Sequence, residues 1–148
     1  MFMRILALFF AACFCAPSDA SERVDRAKQV FTEYVSKWHA FDPSVADLYS
    51  DSALIQNTRT YADGQVRQIV IPAAQYKQIV RGVMPLARSR NDRSEYRSPA
   101  FSEEATGVRI KIIRYSALKN YTSPMSLLVG PDESGLWLVL EEIISSIP

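Results

Sequence analysis

The stretch from Trp38 to Ile55 constrains the fold of this chain more than any other part of its sequence. Asp42-Pro43 has the chemistry of a helix start, because an aspartate accepts hydrogen bonds from free backbone N–H groups and proline suits the first helical position. Ser50-Asp51-Ser52 ends this short helix, and a strand is predicted from Ala53 to Thr60. Helical patterns precede the stretch and strand patterns dominate after it, so we predict an α+β domain.

A long amphipathic helix is predicted before this stretch, from about Glu22 to Trp38. Its apolar side chains recur at intervals of three and four residues, which places them on one face of a helix. These side chains are Val24, Ala27, Val30, Phe31, Tyr34, Val35 and Trp38. We expect this face to be buried against a sheet.

A β-hairpin and a third helix are predicted next. The turn chemistry of Asp63-Gly64 joins the first strand to a second one from Val66 to Ile71. Pro72 then opens a helix that should end or kink near Met84, because Pro85 cannot donate a backbone hydrogen bond. The apolar side chains expected on the buried face of this helix are Tyr76, Ile79, Val80, Val83 and Leu86.

Further strands fill the C-terminal half of the chain. They are predicted from Ser94 to Glu103, Gly107 to Ala117, Pro124 to Gly130 and Leu136 to Ile144. In the second of them the adjacent pair Ile112-Ile113 interrupts the alternation of apolar and polar side chains, which predicts a β-bulge. Together the elements predict three helices in the N-terminal half packed on a strongly bent, mixed or antiparallel sheet.

The first residues have the composition of an export signal. Arg4 precedes an unbroken apolar run from Ile5 to Cys15, which is too short to span a membrane as a helix. Small Ala20 stands where a signal peptidase would cut, so we predict a mature domain of residues 21–148 in the periplasm or outside the cell. The alternative is a lipoprotein signal with a lipid anchor on Cys13, since two alanines precede that cysteine.

Charge and composition narrow the chemistry. The formal net charge is +1 at pH 7, which provides no strong field toward nucleic acid or an anionic membrane. Cys13 and Cys15 lie in the predicted signal and His39 is the chain's one histidine, so a zinc site of histidines and cysteines is excluded. No glycine-rich phosphate loop occurs either. We therefore expect no metal, no cofactor and no nucleic-acid partner.

A family resemblance follows from the order of these elements and from the run Asp-Pro-x-x-x-x-Leu-Tyr-Ser-Asp-x-Ala-Leu-Ile between Asp42 and Ile55. The chain resembles the nuclear transport factor 2-like superfamily, which includes SnoaL-like and cystatin-like cone folds. The resemblance covers essentially everything after the signal, and it implies a bent sheet wrapping the long helix into a cone that can hold a small molecule. It implies no activity, because the same fold serves dehydratases, isomerases, cyclases and transport factors.

His39 is the first candidate for acid–base chemistry. Asp42 follows it by three residues, and a His–Asp pair could act as a general base. The alternative is a histidine without chemistry, placed at the end of the long helix because the helix dipole favours a positive charge there.

Glu141 and Glu142 are the other catalytic candidates, because they interrupt an apolar strand. Alternation along a strand points one of them into the cone, where burial would make it a base or a ligand contact. Two alternatives stay open: both glutamates are solvated because the sheet frays there, or the inward one pairs with Arg109 or Arg114.

Aromatic and polar side chains are the expected walls of the cone, because tyrosine and tryptophan offer an apolar body with a polar tip. The candidates for ligand binding are Tyr34, Trp38, Tyr49, Asn57, Arg59 and Tyr115.

The last predicted strand is apolar on both faces, which bears on assembly. Leu136, Leu138 and Leu140 alternate with Trp137, Val139 and, further along, Ile143. Helices can cover only the concave face of the sheet, so the convex face needs another cover. We predict a homodimer through that face.

Two functions remain open. The first is an exported accessory protein that binds a small amphipathic ligand or a partner. The second is a cofactor-free lyase or isomerase that uses an inward Glu141 or Glu142 as its base. No histidine–aspartate pair is expected inside the cone, which favours the first function.

Overall fold

The structure, a computed structural model, describes residues 19–146, which form three helices and one six-stranded sheet. The apolar run of the predicted export signal and Cys13 lie outside the described residues. The elements in chain order are helix α1 (Asp19–Ala40), a 3₁₀ helix (Pro43–Leu48), strands β1 (Tyr49–Thr60) and β2 (Val66–Pro72), helix α2 (Ala73–Arg90), and strands β3 (Ser94–Glu104), β4 (Gly107–Ser116), β5 (Tyr121–Pro131) and β6 (Trp137–Ser146). The predicted α+β class is confirmed.

The sheet is mixed, with the spatial order β2-β1-β6-β5-β4-β3. β1 pairs in parallel with β6, whereas the other neighbouring pairs are antiparallel. The last strand therefore lies in the middle of the sheet and joins its two halves. β2 and β3 are the edge strands.

Helix α1 packs across β3, β4, β5 and β6, and its predicted apolar face is the one that meets the sheet. Ala27, Phe31 and Tyr34 are buried in the core, and the other apolar residues of that face pack against it. The 3₁₀ helix begins as predicted, because the Asp42 side chain accepts a hydrogen bond of 2.8 Å from the backbone N–H of Ser44. None of the helices within residues 19–146 is long and apolar enough to cross a membrane.

Helix α2 does not end near Met84, as the sequence had predicted, but runs to Arg90 with Pro85 inside it. Val80 and Met84 are buried against β1 and the 3₁₀ helix. This packing stabilises the helix although Pro85 cannot donate a backbone hydrogen bond to the preceding turn. The helix ends at Asn91, which adopts the left-handed conformation and donates its backbone N–H to the last turn.

The buried face of α2 also differs from the prediction. Tyr76 and Val80 do contribute to the core, but the other three residues of the predicted face are largely exposed. Those three are Ile79, Val83 and Leu86. Ala73, Met84 and Ala87 take their places, because the helix lies on β1 with its adjacent stripe inward.

The β-bulge that was predicted in β4 is found in its neighbour, β3. β4 pairs regularly with β5 through Ile112 and Ile113, whereas the register of β3 shifts between Arg97 and Ala100 opposite them. Ser98 in this bulge has a positive φ of 53°, and Pro99 follows it. A proline cannot contribute a backbone N–H to the ladder, so the extra residue is placed in the edge strand.

A second irregularity lies in β6 and decides which glutamate points inward. Val139 pairs with Val129 and Glu141 pairs with Leu128, so Leu140 is an extra residue in β6. As a result Val139 and Glu142 both face α1 although they are three residues apart.

Candidate functional site

Glu142 is completely buried on the inner face of β6, at the centre of the sheet. Its neighbours across the sheet are Ile55 of β1 and Leu127 of β5, which are also buried. A carboxyl group in such a place is costly unless its oxygens accept hydrogen bonds.

Three tyrosine hydroxyls supply those hydrogen bonds. Tyr34 of α1 donates to Oε2 over 3.1 Å and Tyr76 of α2 donates to Oε1 over 2.7 Å. Tyr49, the first residue of β1, also donates to Oε2. Tyr96 of β3 packs edge-on against Tyr34, with ring centroids 5.7 Å apart. The two long helices, the sheet centre and an edge strand thus converge on one carboxyl group.

The ionisation of this cluster is governed by burial. Burial raises the pKa of Glu142 above its ordinary value, and this effect outweighs the three tyrosine hydrogen bonds and the Arg114 charge, which lower it. Burial, together with the nearby Glu142, also raises the pKa of Tyr34, Tyr49 and Tyr76 well above 10.0. The tyrosines therefore stay neutral donors at physiological pH.

A cavity of about 380 Å³ lies against this cluster. Its wall combines apolar side chains of α1, α2, β5 and β6 with a polar set that includes three tyrosines. The apolar set is Trp38, Val83, Leu86, Ala87, Met125 and Ile144, and the polar set is Tyr34, Tyr76, Arg90, Asp92, Ser94, Tyr96, Arg114 and Glu142. Its volume lies in the usual range for small-molecule sites, roughly 300–1,000 Å³.

Two nitrogen atoms in this wall are buried and have no hydrogen-bond partner among the described residues: Nε1 of Trp38 and Nε of Arg114. Leaving a buried donor unsatisfied costs roughly 1–3 kcal/mol. Both atoms are N–H donors that cannot accept a hydrogen bond, so only an acceptor would satisfy them.

Of the predicted catalytic residues, Glu142 lies in this site and the other two do not. Glu141 is on the outer face of the sheet, where it pairs with Arg109, which also binds Glu104. His39 is exposed, and its Nε2 donates to the carbonyl oxygen of Ser94 over 2.9 Å rather than to Asp42.

Of the predicted ligand contacts, Tyr34 and Trp38 line the cavity, and Tyr49 lies behind it against Glu142. Asn57 faces inward, but its side chain accepts a hydrogen bond from Ser146. Arg59 is exposed and does not line the cavity. Tyr115 does not reach the cavity, because it follows Arg114 on a strand and therefore faces outward, where its hydroxyl binds Asn120.

The sequence did not predict Tyr76 as part of the site, and it indicated Arg114 only as a possible partner of the inward glutamate. Tyr76 had been assigned to the core of the third helix only. A signal for Arg114 was present, because Ile110 and Ile112 alternate on the inner face of β4 and Arg114 is the next residue in that series.

Other parts of the surface are less suited to binding a ligand. A larger groove of about 740 Å³ runs beside the N-terminal half of α1, but exposed and mutually paired side chains such as Glu22 and Arg26 form its wall. Within residues 19–146, no group of three histidine, cysteine, aspartate or glutamate side chains is arranged to hold a metal ion.

No family model and no curated protein matches this sequence. Solved structures do. A proposed dehydratase of the nuclear transport factor 2-like family from Streptomyces avermitilis has a TM-score of 0.61 at 9% identity, over 87% of this chain and 99% of that one. A proposed ketosteroid isomerase from Parabacteroides distasonis has a TM-score of 0.54 at 12% identity, over 80% and 83%.

A third structure was solved with a ligand. This protein from Catenulispora acidiphila, in complex with S-DNPA, has a TM-score of 0.56 at 11% identity, over 84% of this chain and 93% of that one. At such low identities the likeness is one of fold. It confirms the fold that the element order predicted.

Proposed function

We propose that this chain, which has the nuclear transport factor 2-like fold, binds a small amphipathic molecule in the cavity between α1, α2 and the sheet. The observation that carries the proposal is a cavity that side chains do not fill, two of whose wall residues, Trp38 and Arg114, each hold a buried N–H donor without an acceptor among the described residues. Native proteins satisfy nearly all buried polar groups, and a bound molecule with an acceptor group would satisfy these two.

The rest of the wall supports the same function. Exposed Val83 and Leu86 of α2 border the cavity beside Ile144 and offer an apolar surface to the ligand. The Glu142–tyrosine cluster gives the floor a fixed polar pattern, because each hydroxyl is held by the carboxyl group. An apolar wall with a few fixed polar groups is typical of small-molecule sites.

Proton transfer is the second candidate function, and Glu142 favours it. Its pKa is raised by burial, as in many catalytic carboxyl groups, and Tyr76 links it to the cavity. Two solved structures of this fold are described as a proposed dehydratase and a proposed ketosteroid isomerase. Binding remains the leading proposal, because Tyr34 and Tyr49 cover the carboxyl group and occupy one of its oxygens.

Blocking the cavity tests the binding proposal. Val83→Trp would place a large ring at the rim, whereas Ile79→Trp adds the same ring to the same stripe of α2 at a position outside the cavity; the two residues are 41% and 42% exposed. Native mass spectrometry of protein purified from its own host should show a bound small molecule in the wild type and the Ile79 variant. The Val83 variant should lack it, and equal loading of all three proteins would contradict the proposal.

The same bound molecule separates binding from catalysis. If Glu142 is a base, wild type should convert the molecule on incubation and Glu142→Gln should bind it without converting it. If the protein is a binder, the molecule should be recovered unchanged from both proteins. Glu141→Gln is the control, because that carboxyl group lies on the outer face of the sheet.

We also propose export, on the strength of the apolar run from Ile5 to Cys15 after Arg4. Cleavage after Ala20 would remove the first two residues of α1 and leave the rest of the helix. Mass spectrometry of the mature protein should find Ser21 as the first residue. A diacylated Cys13 would instead favour the lipoprotein alternative.

A homodimer through the outer face of the sheet is proposed as well. Leu54 of β1, Val70 of β2 and Ile113 of β4 are between 41% and 57% exposed on this face. A groove of about 460 Å³ lies there, lined by Ile113, Pro124 and Ile143 among others. A second copy of the sheet would cover this apolar surface.

A further inference from the structure

Arg114 lies on the inner face of β4, near the C-terminal end of that strand. It pairs across the ladder with Ser123 of β5 on one side and with Tyr96 of β3 on the other. Ser123 is buried, and Arg114 and Tyr96 line the cavity. The backbone of Arg114 is therefore fixed between two neighbouring strands, and its side chain lines the cavity.

The guanidinium group of Arg114 contacts only neutral groups. Nη1 donates to Oγ of Ser94 over 3.3 Å, Nη2 donates to the hydroxyl of Tyr121 over 2.9 Å, and Nε has no acceptor. None of the ion pairs within residues 19–146 involves Arg114, and the nearby Glu142 already accepts three tyrosine hydroxyls. A partly buried charge without a counter-ion is unfavourable, because it has lost water without gaining an anion.

Two further polar groups are buried without partners among the described residues. They are Nε1 of Trp38, in the same cavity wall, and Oγ of Ser123, the cross-strand neighbour of Arg114. Indole and guanidinium N–H groups donate and cannot accept. The missing group is thus an acceptor, and the positive charge of Arg114 favours an acceptor that is negatively charged.

The other residues of the cavity wall indicate which kind of anion would fit. Trp38, Val83, Leu86 and Ile144 give the cavity an apolar side, which does not suit the several charged oxygens of a phosphate. Asp92 and Arg90 also line the cavity and contribute opposite charges, which leaves the charge of Arg114 to attract an anion. One singly charged group on an apolar body fits this arrangement.

We propose that the ligand is an organic carboxylate, with its carboxylate on Nε of Arg114 and Nε1 of Trp38 and its apolar body along α2. This inference rests on the proposed binding function and specifies its ligand class. A carboxylate has enough acceptor sites for both donors, because its two oxygens carry about four lone-pair sites. Burial keeps Glu142 below it toward the neutral form, which reduces repulsion between the two carboxyl groups.

The indole N–H of Trp38 reports directly on this contact. The chain has two tryptophans, and Trp137 lies at the other groove beside α1, so Trp137→Phe assigns the two indole signals in a nitrogen–proton NMR spectrum. The probes are octanoate and phenylpropionate, each compared with the alcohol of the same skeleton, octanol and phenylpropanol, at millimolar concentration. Each pair differs in the carboxylate alone.

Both carboxylates should move the Trp38 indole signal and bind about tenfold more tightly than their alcohols, the minimum expected for charge-assisted hydrogen bonds. Arg114→Gln should abolish this tenfold difference in affinity and leave the binding of the alcohols unchanged. Arg81→Gln is the matched control, because Arg81 pairs with Asp47 outside the cavity. Trp38→Phe provides a second test if Arg114→Gln does not fold. With binding monitored through backbone amide signals, this variant should reduce the difference in affinity between carboxylate and alcohol.

The outcomes distinguish the two proposals. Equal affinities for carboxylates and alcohols would overturn the carboxylate inference but not the binding function. An affinity difference that is unchanged in both Arg114→Gln and Trp38→Phe would have the same consequence. Failure of all four compounds to move any signal of a cavity residue would count against both.

Discussion

Tyr76 of α2 donates a hydrogen bond of 2.7 Å to Glu142 of β6, which is completely buried at the centre of the sheet. This contact joins a helix to a strand that follows it by 66 residues in sequence. Tyr34 ties α1 to the same carboxyl group. One acidic side chain therefore fixes both long helices against the sheet and forms the floor of the cavity.

Removing the hydroxyl of Tyr76 should destabilise the fold. Tyr76→Phe leaves the ring in place but deprives a buried carboxyl group of a donor, which should lower the free energy of unfolding by about 1–3 kcal/mol. Urea denaturation measures this change. Tyr115→Phe is the control, because its hydroxyl binds Asn120 on the outside, and it should cost less than about 0.5 kcal/mol. Equal effects of the two variants would refute the special role of the cluster.

The stability of the protein should carry a pH signature from Glu142. Because burial raises its pKa above 4.5, the folded state keeps a proton that the unfolded state releases as the pH rises past that value. The contribution of Glu142 to the free energy of unfolding should therefore be greatest below about pH 4.5 and should fall as the pH rises toward the raised pKa.

Glu142→Gln isolates this contribution, because glutamine does not titrate. The free energy of unfolding of wild type minus that of the variant should decrease as the pH rises above about 4.5, as measured by urea denaturation at each pH. Other titrating groups cancel in the difference. A difference that stays constant or grows with pH would show that the carboxyl group is not stabilised in its protonated form.

Two glycines should respond to alanine in opposite directions. A Cβ on Gly130 of β5 would collide with the carbonyl oxygen of Thr106 and crowd Gly107, so Gly130→Ala should destabilise the fold by about 1–3 kcal/mol. A Cβ on Gly82 of α2 would meet nothing within 4 Å, so Gly82→Ala should stabilise it by about 0.5–1 kcal/mol. Thermal or urea unfolding measures both, and a neutral Gly130→Ala would contradict the close approach of the two strands.

The proposed dimer should depend on the outer face of the sheet. Ile113→Lys puts a charge into the apolar surface and should convert a dimer into a monomer at micromolar concentration, as measured by light scattering. Leu118→Lys is the control, because Leu118 is similarly exposed, at 49%, in the turn after β4. A monomeric wild type, or dissociation by both variants, would rule out this interface.

Local patterns in the sequence determined the class of fold and most of its elements. The spacing of Ala27, Phe31 and Tyr34 predicted the face of α1 that is buried, and Asp42 predicted the start of the 3₁₀ helix. These predictions held because helix periodicity and capping depend on residues within one or two turns of each other. The tendency of Pro85 to end a helix is equally local, but the burial of Val80 and Met84 overrode it.

Only the tertiary structure decided what the site is. Alternation allowed either Glu141 or Glu142 to face inward, and the extra residue at Leu140 selected Glu142. Tyr34, Tyr49 and Tyr76 meet it from three different elements, and Arg114 joins the wall from a fourth. Such a meeting depends on strand register and helix packing between residues far apart in the chain, and no local pattern of the sequence records it.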